Sequence, residues 1–514
     1  MLMHPDIVLL VLDTQRVDRL SCYGYPKEIS PHLDALAADA TRFNNAVAAA
    51  QWTIPSHASM FTGVYPSLHN TVQSYSTLPA TLPTLAERLR DAGYYTAAFC
   101  NNPLVGVVNN GLRRGFTSFL NYSGLLTSRP NQAGVSSNLI DRYRQQFKRL
   151  LAGALNQIQD AFAHSEALLS LSFSPLMVPL WQTALSFKGN TAKSLSDAAQ
   201  LLSDRRGLAD GQPVFSFINL MGTHMPYHPP RKYIERFAPH VLQDREAQRY
   251  LNQFNSDIYG WLAPLSDPLS DLDKATLDGM YNAEVAAQDE QVGKFIQKLQ
   301  ESGALENTLL IICADHGEHL GEKQLVGHTN ALYNELARVP LIIRDPSGNF
   351  SRGTVRDDVI STRRLFHTAL AAAGIANEYE EALDLASVTS SVEDTVFAEA
   401  IPPQNVLNLL LQRQPELVRD RRCDQPTVAV WNGNYKLLTT GSSPNLPHQE
   451  LYHVFDDPQE ALNLCDLLPE AVETLDDHLQ SYMNQVPTTV SAEPADNYND
   501  PQVYRRLRDL GYLE

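Results

Sequence analysis

The sequence predicts an α/β protein whose core is a mostly parallel sheet flanked by helices. Three observations carry that expectation. Apolar runs at Ile7 to Leu12, Val214 to Leu220 and Leu309 to Cys313 read as strands buried on both faces. Segments of helical apolar spacing lie between such runs, the alternation that a parallel sheet requires. With 514 residues, 43% of them hydrophobic, the chain can fill one large domain and a smaller one.

The first strand, IVLLVLD, ends at Asp13. Ligand sites of parallel sheets lie beyond the carboxyl ends of strands, so Asp13 stands where a metal ligand is useful, or where a carboxylate caps the strand end. Arg16 and Asp18 follow as braces of that loop. Leu33, Leu36 and Ala37 give Pro31 to Phe43 the spacing of an amphipathic helix. In QWTIPSHASMFTGVYP, Pro55 and Ser56 suit a helix start and Gly63 its end, with Pro66 beyond. Thr53 thereby gains a helix N-terminus beneath its hydroxyl, whose free N–H groups favour an anionic ester there.

A second helix is expected over Leu82 to Ala92, then a strand over Tyr95 to Cys100. Asn101 and Asn102 follow at that strand's end, where an amide donates to a substrate oxygen or forms a turn; Asn101 is assigned to substrate. Residues 123–200 interrupt the rhythm as a helical, partly hydrophobic insertion. Its uncharged part, Ala167 to Phe187, is of membrane-spanning length, yet Pro175 and Pro179 argue against a simple span. It reads as an insertion folded onto the domain, or as a lid or membrane-surface patch that admits a lipid-like or aromatic substrate.

The strand Val214 to Leu220 leads into GTHMPYHPP, which sets His224 at its carboxyl end and His228 four residues on. An imidazole there donates to an ester oxygen, protonates a leaving group, or packs in the loop. Val292, Phe295, Ile296 and Leu299 mark a helix that stops at Gly303. The strand LLIIC then delivers Asp315 and His316 at its end, beside Gly317, an acid–imidazole pair that packing alone does not explain. Arg363 to Ala373 reads as one more helix, and Pro487 to Pro501 as an extended tail.

Forty basic against 58 acidic residues give a formal charge of −18, which argues against a nucleic-acid surface. Any anionic substrate then needs locally placed cations or a metal. Five widely spaced cysteines with no CxxC pair suggest reduced thiols. The opening MLMHPD has no basic n-region, and together these features point to the cytoplasm.

Thr53, Pro55, His57, Thr62-Gly63 and Pro66 together resemble the signature of the sulfatase family within the alkaline phosphatase superfamily. Two positions depart from it: Thr53 stands where sulfatases place a Cys or Ser that becomes formylglycine, and His57 stands where they place Arg. Threonine resembles instead the nucleophile of the superfamily's phosphodiesterases and phosphoglycerol transferases. Where sulfatases carry two adjacent acids, this chain has Asp13 and Thr14. The resemblance implies that Asp13, Asp315, His316 and Thr53 hold one divalent metal ion, that His224 touches the substrate oxyanion, and that His328 takes the place of a substrate-binding lysine. Two carboxylates, a hydroxyl and an imidazole favour manganese or zinc, with magnesium and calcium left open. His228 is counted with Asn101 as substrate-binding.

It also implies a catalytic domain over 1–400, a small antiparallel-sheet subdomain over 401–486 holding VAVWNGNYKLLTT and ELYHVFDDPQEALNL, and a tail over 487–514. The expected activity is hydrolysis of a small anionic ester. Thr53 attacks, His57 and His328 stabilise charge, and His224 assists the leaving group. Threonine cannot release sulfate by collapse of an aldehyde hydrate, which tilts the expectation toward phosphate or phosphonate esters over sulfate esters. Transfer to an alcohol acceptor and a non-catalytic binding role are the alternatives.

Overall fold

The computed structural model describes residues 4–106, 108–122, 188–256, 264–328, 331–387, 395–441 and 448–485. Residues 123–187 of the insertion expected over 123–200, with its uncharged stretch, and the tail expected from 487 lie outside them, while the end of the insertion enters the helix Thr191–Asp204. In chain order the strands are β1 (Asp6–Leu12), β2 (Thr41–Val47), β3 (Tyr95–Cys100), β4 (Ser118–Asn121), β5 (Val214–Leu220), β6 (Thr308–Cys313), β7 (His319–Leu320), β8 (Val326–Gly327), β9 (Arg338–Arg344), β10 (Thr354–Ser361), β11 (Thr395–Ala400), β12 (Thr427–Asn432), β13 (Tyr435–Thr440) and β14 (His448–His453).

Eight of them form the central sheet in the order β10-β2-β9-β6-β1-β5-β3-β4. All pair in parallel except β9, which runs antiparallel to both β2 and β6. Successive side chains of β1 show why the sheet is buried on both faces. Val8, Leu10 and Leu12 join one apolar layer with Leu277, Val292 and Phe295 of the helix Asp271–Glu301. Ile7, Leu9 and Val11 join the other, with Ala58, Met60 and Phe61 of the helix Thr53–Thr62. The sheet is therefore the middle of three layers.

Two boundaries differ from the sequence expectation. The helix that opens at Pro31 stops at Ala38, and Thr41 begins β2. Thr41 and Phe43 alternate inward there and pair with β9 and β10, so tertiary pairing overrides the helical spacing that precedes them. Thr53 is itself the first residue of its helix, with Pro55 inside the first turn and Gly63 ending it at φ +74°, a conformation that suits glycine.

β11 to β14 form a separate antiparallel sheet, which begins at Thr395, ahead of the expected boundary at 401. One face packs on Val47, Leu332 and Ala337 of the large domain, and the helix Pro469–Gln485 covers the other with Leu475, Leu479 and Tyr482. Among the described residues, no helix is long and apolar enough to cross a membrane.

The helix Pro31–Ala38 has no side-chain cap of its own, since Ser30 does not bond to its first turn's N–H groups. Asp289 supplies one across the interface: Oδ1 accepts from Leu33 N at 2.8 Å and Oδ2 from His32 N at 3.1 Å. Burial pushes its carboxyl up to about 6, against the pull of those two N–H groups. The native state thus binds this proton more tightly than the unfolded chain, so stability falls as pH rises from about 4 to about 6 and levels above. Asp289→Ala is expected to cost about 2 kcal/mol in urea unfolding at pH 7, because two helix N–H groups lose their acceptor. Asp289→Asn keeps one acceptor and flattens the pH slope.

Candidate active site

The register of the sheet builds the site. β1 and β6 are parallel neighbours with Val11 opposite Cys313, so Asp13 and Asp315, each two residues farther on, emerge side by side. Both are fully buried, and with His316 they offer ligand atoms within 4.8 Å of one another. Asp13 Oδ1 and Asp315 Oδ2 have no hydrogen-bond partner. Burial, and next the charge of Asp13, raise the Asp315 carboxyl well above the usual carboxylate range. Two carboxylates facing each other in a dry site cannot both stay ionised without a positive charge between them. These residues therefore fit a divalent cation.

His316 is set up as a ligand by its neighbours. Its Nδ1 lies 2.9 Å from the Gly317 carbonyl, so Nδ1 carries the proton and donates. The lone pair of Nε2 is left facing Asp315 Oδ2 at 3.4 Å and Thr53 Oγ1 at 3.5 Å. Burial, with the charge of His328 next, holds this imidazole well below its ordinary pKa, which keeps it neutral for coordination. Thr53 thus stands at the edge of the cluster. Ser56 pins its helix to the end of β6 by donating to the Asp315 carbonyl at 2.7 Å.

His57 differs from the sequence expectation. Its Nδ1 donates to the Thr53 carbonyl at 2.8 Å, and its Nε2 accepts from Asn219 at 3.4 Å. The ring is fully buried between the edges of Phe61 and Phe217, and burial lowers its pKa. Both nitrogens are engaged, so His57 props the backbone of Thr53.

His224 and His328 gather beside the cluster, their rings 5.1 Å apart, with His328 also 4.6 Å from His316. His224 donates from Nδ1 to the Met225 carbonyl at 2.5 Å, and burial lowers its pKa. Burial also pulls on His328, but the carboxylate of Glu318, 2.7 Å from Nδ1, overcomes it and raises the imidazole above its ordinary value. His328 is therefore the member of the group that holds a proton most readily. His228 lies farther out, in a cleft, with its backbone N–H bonded to Glu284.

Of the two asparagines after β3, Asn101 bonds to the Lys188 carbonyl and to Thr191, while Asn102 donates to Asp13 Oδ2 at 2.6 Å. Asn102, read from the sequence only as a strand-end amide, is a neighbour of Asp13, and Asn219, Glu318 and Lys188 are site neighbours that sequence reasoning missed. Asn219 alone carried a signal, as the last inward polar residue of a buried strand. Thr14, at the second acidic position of the resemblance, adopts φ +58°, a left-handed conformation that costs a β-branched residue about 1–3 kcal/mol. Tyr281 holds it there, donating to the Thr14 carbonyl and accepting from Arg16 N. Arg16 braces the loop through Asp18, Glu322 and the Glu318 carbonyl.

A Cβ on Gly317 would fall 1.9 Å from the Glu335 carbonyl oxygen, which is backbone and cannot step aside. Gly317→Ala is expected to move the Asp315–His316 turn. Loss of divalent-metal binding by at least about 10-fold in calorimetric titration, larger than its effect on folding, checks this.

Comparison with known proteins follows the same lines. The family model described as Sulfatase matches residues 5–375. The uncharacterized sulfatase YidJ of Escherichia coli (strain K12) is 23% identical over 503 residues, 94% of this chain and 88% of that protein. An arylsulfatase of Clostridium perfringens (strain 13 / Type A) is 25% identical over 413 residues, 78% of this chain and 79% of its own. Among solved structures, the phosphonate monoester hydrolase of Agrobacterium radiobacter superposes with a TM-score of 0.63 at 20% identity, covering 94% of this chain and 96% of that one.

Proposed function

The chain belongs to the sulfatase family, whose members are ester hydrolases, and from that premise we propose that it is a metal-dependent hydrolase of small anionic esters with Thr53 as nucleophile. One observation carries this reading: Thr53 Oγ1 lies 3.5 Å from His316 Nε2, beside two buried carboxylates that each keep an oxygen without a hydrogen-bond partner. Asp13, Asp315 and His316 would hold the divalent ion, with Thr53 as a fourth donor. This donor set favours manganese or zinc over calcium. The bound ion supplies a lowered hydroxyl pKa at Thr53 and neutralises ester charge.

The chain's own residues supply the rest. Thr53 Oγ attacks the sulfur or phosphorus atom, and the bond from that atom to the leaving oxygen breaks. The products are an ester of Thr53 and the free alcohol. Water then attacks the same atom, which returns the threonine hydroxyl and releases the acid. His328, whose proton affinity Glu318 raises, donates to the transferred group's oxygens. His224 delivers a proton to the departing alcohol oxygen, since an anionic ester beside it raises the proton affinity that burial has lowered.

Phosphate or phosphonate esters are favoured over sulfate esters, on the ground that a threonyl sulfate has no aldehyde route to collapse. The phosphonate monoester hydrolase with the same fold is consistent with that preference. The reading of a lipid-like or aromatic substrate rests on 167–187, outside the described residues. A cytoplasmic setting rests on the widely spaced cysteines, all five of which are free thiols.

The test is turnover of matched aryl phosphonate, aryl phosphate diester and aryl sulfate by metal-loaded protein. Thr53→Ala is expected to lower kcat on the preferred ester by on the order of 10³-fold or more, with metal retained. Equal turnover by the variant would remove Thr53 from the mechanism. Asn102→Leu is expected to lower metal affinity about 10- to 100-fold through the lost bond to Asp13, read by titration with manganese.

A further inference from the structure

The short strands β7 and β8 form a hairpin with His319 opposite Gly327 and Leu320 opposite Val326. Continued one residue outward, that register sets Glu318 opposite His328, and their side chains meet at 2.7 Å. The contact that raises the proton affinity of His328 is thus a cross-strand pair. The register of a hairpin is fixed by its turn, and a slip of one residue would send one of the two side chains to the opposite face. Whatever holds residues 321–325 therefore holds Glu318 against His328.

That turn has a conformation its own residues do not favour. Gly321 adopts φ +110°, but Lys323 and Gln324, at +54° and +56°, are consecutive non-glycine residues in the left-handed region. Lysine gains nothing locally there, so the conformation persists only where surrounding contacts impose it. Those contacts come from outside the hairpin. The Lys323 ammonium donates to the Glu460 carbonyl, and it lies 5.2 Å from the ring centroid of Tyr333 and 5.5 Å from that of Tyr452 on β14. Gln324 accepts from Arg421 through its side chain and from Leu265 N, at 2.8 Å, through its carbonyl. Glu322 completes the frame, with Oε1 accepting from Arg16 at 3.0 Å and Oε2 from Leu320 N at 2.7 Å. Lys323 thus reaches a carbonyl and two rings that the hairpin does not supply.

We propose that Lys323 is a positioning residue for His328: by holding the turn in its left-handed conformation, it fixes the register that pairs Glu318 with that imidazole. The proposal rests on the reading of His328 as a donor to the transferred group's oxygens, and it goes beyond that reading by assigning the donor's placement to a side chain at the turn of the hairpin. No step of chemistry passes through Lys323. A lysine with a merely structural role would, on replacement, change stability and leave anion binding alone.

Inorganic phosphate tests this in manganese-loaded protein, since it carries the oxygens that His328 is to contact and needs no turnover. Lys323→Asn removes the ammonium but supplies a residue that tolerates positive φ, so its melting temperature is expected within about 3 °C of wild type. Its manganese affinity is expected within about 2-fold, because no metal ligand lies on the hairpin. Its phosphate affinity in calorimetric titration is expected to fall at least about 10-fold, the scale of one lost hydrogen bond to a charged group. Lys323→Arg, which keeps a cation over the two rings, is expected to stay within about 3-fold of wild type. Should Lys323→Asn fail to fold, Gln324→Gly carries the test: it relieves the same strain and drops the Arg421 contact, with an expected loss of about 3-fold. Phosphate affinity unchanged in the folded variants, lost together with manganese affinity, or not kept by Lys323→Arg would overturn the proposal. So would wild-type protein that holds manganese but no phosphate. The hydrolase reading fails separately, if manganese-loaded wild type turns over no ester while its phosphate binding depends on Lys323.

Discussion

Two carboxylates that share one dry spot constrain the rest of this structure. Asp13 and Asp315 are brought together by strand register alone, and neither can be moved without breaking the pairing of β1 with β6. Their mutual repulsion has to be balanced, and the surroundings are arranged to leave that task to a cation. Asn102 occupies one oxygen of Asp13, and the N–H groups of Thr14 and His316 approach Oδ1 of Asp315. The two remaining oxygens face the same point as His316 Nε2. Any added positive side chain at that point would compete with the ion, and His57, the nearest candidate, is kept neutral by burial with both nitrogens bonded.

Thr53 and His328 reach this point from different parts of the fold, so each needs an anchor of its own. Ser56 ties the Thr53 helix to the backbone of Asp315. His328 follows β8, and Leu332 beyond it is held by the small sheet. Lys436 of β13, almost wholly buried, donates to the Leu332 carbonyl at 2.6 Å and pairs with Glu460 at 2.5 Å. Removing one partner of such a pair would leave a buried charge uncompensated, a cost of about 3–5 kcal/mol. The carboxyl-terminal sheet thereby anchors Leu332, four positions beyond His328.

How much of this was legible in the sequence follows from what sequence patterns encode. Buried strands announce themselves by unbroken apolar runs, and in a parallel sheet their ends carry function, so Asp13, Asp315, His316 and His224 were all found by counting to the end of a strand. Thr53 was found because a proline and a glycine bracket its helix. Glu318 and Lys188 lie in loops, where nothing periodic marks a side chain, and their partners His328 and Glu284 are ten and 96 positions away. The placement of the His57 ring was not legible for a related reason. Its spacing from Thr53 is that of a helical i, i+4 pair, which sends the ring back onto the Thr53 carbonyl, and only the packed positions of Phe61 and Phe217 close off the other route. β9 was missed as an antiparallel strand because direction leaves no trace in composition.

Threonine at the nucleophile position changes what the second half of the proposed reaction asks of the protein. An ester of Thr53 has no internal way to release its acid, so water has to attack the sulfur or phosphorus atom from the side the alcohol has just left. By microscopic reversibility, the group that gave a proton to the alcohol oxygen is the one positioned to take a proton from that water. A histidine that burial holds neutral suits that second task, and the anionic ester in the first step supplies the charge that makes it an acid. In the proposed reaction His224 serves both steps from its place just beyond the carboxyl end of β5. A formylglycine enzyme has no need of such a two-way histidine for its release step. On this view Thr53 and the buried, neutral His224 belong together: the first residue sets the requirement, and the burial of the second is what satisfies it.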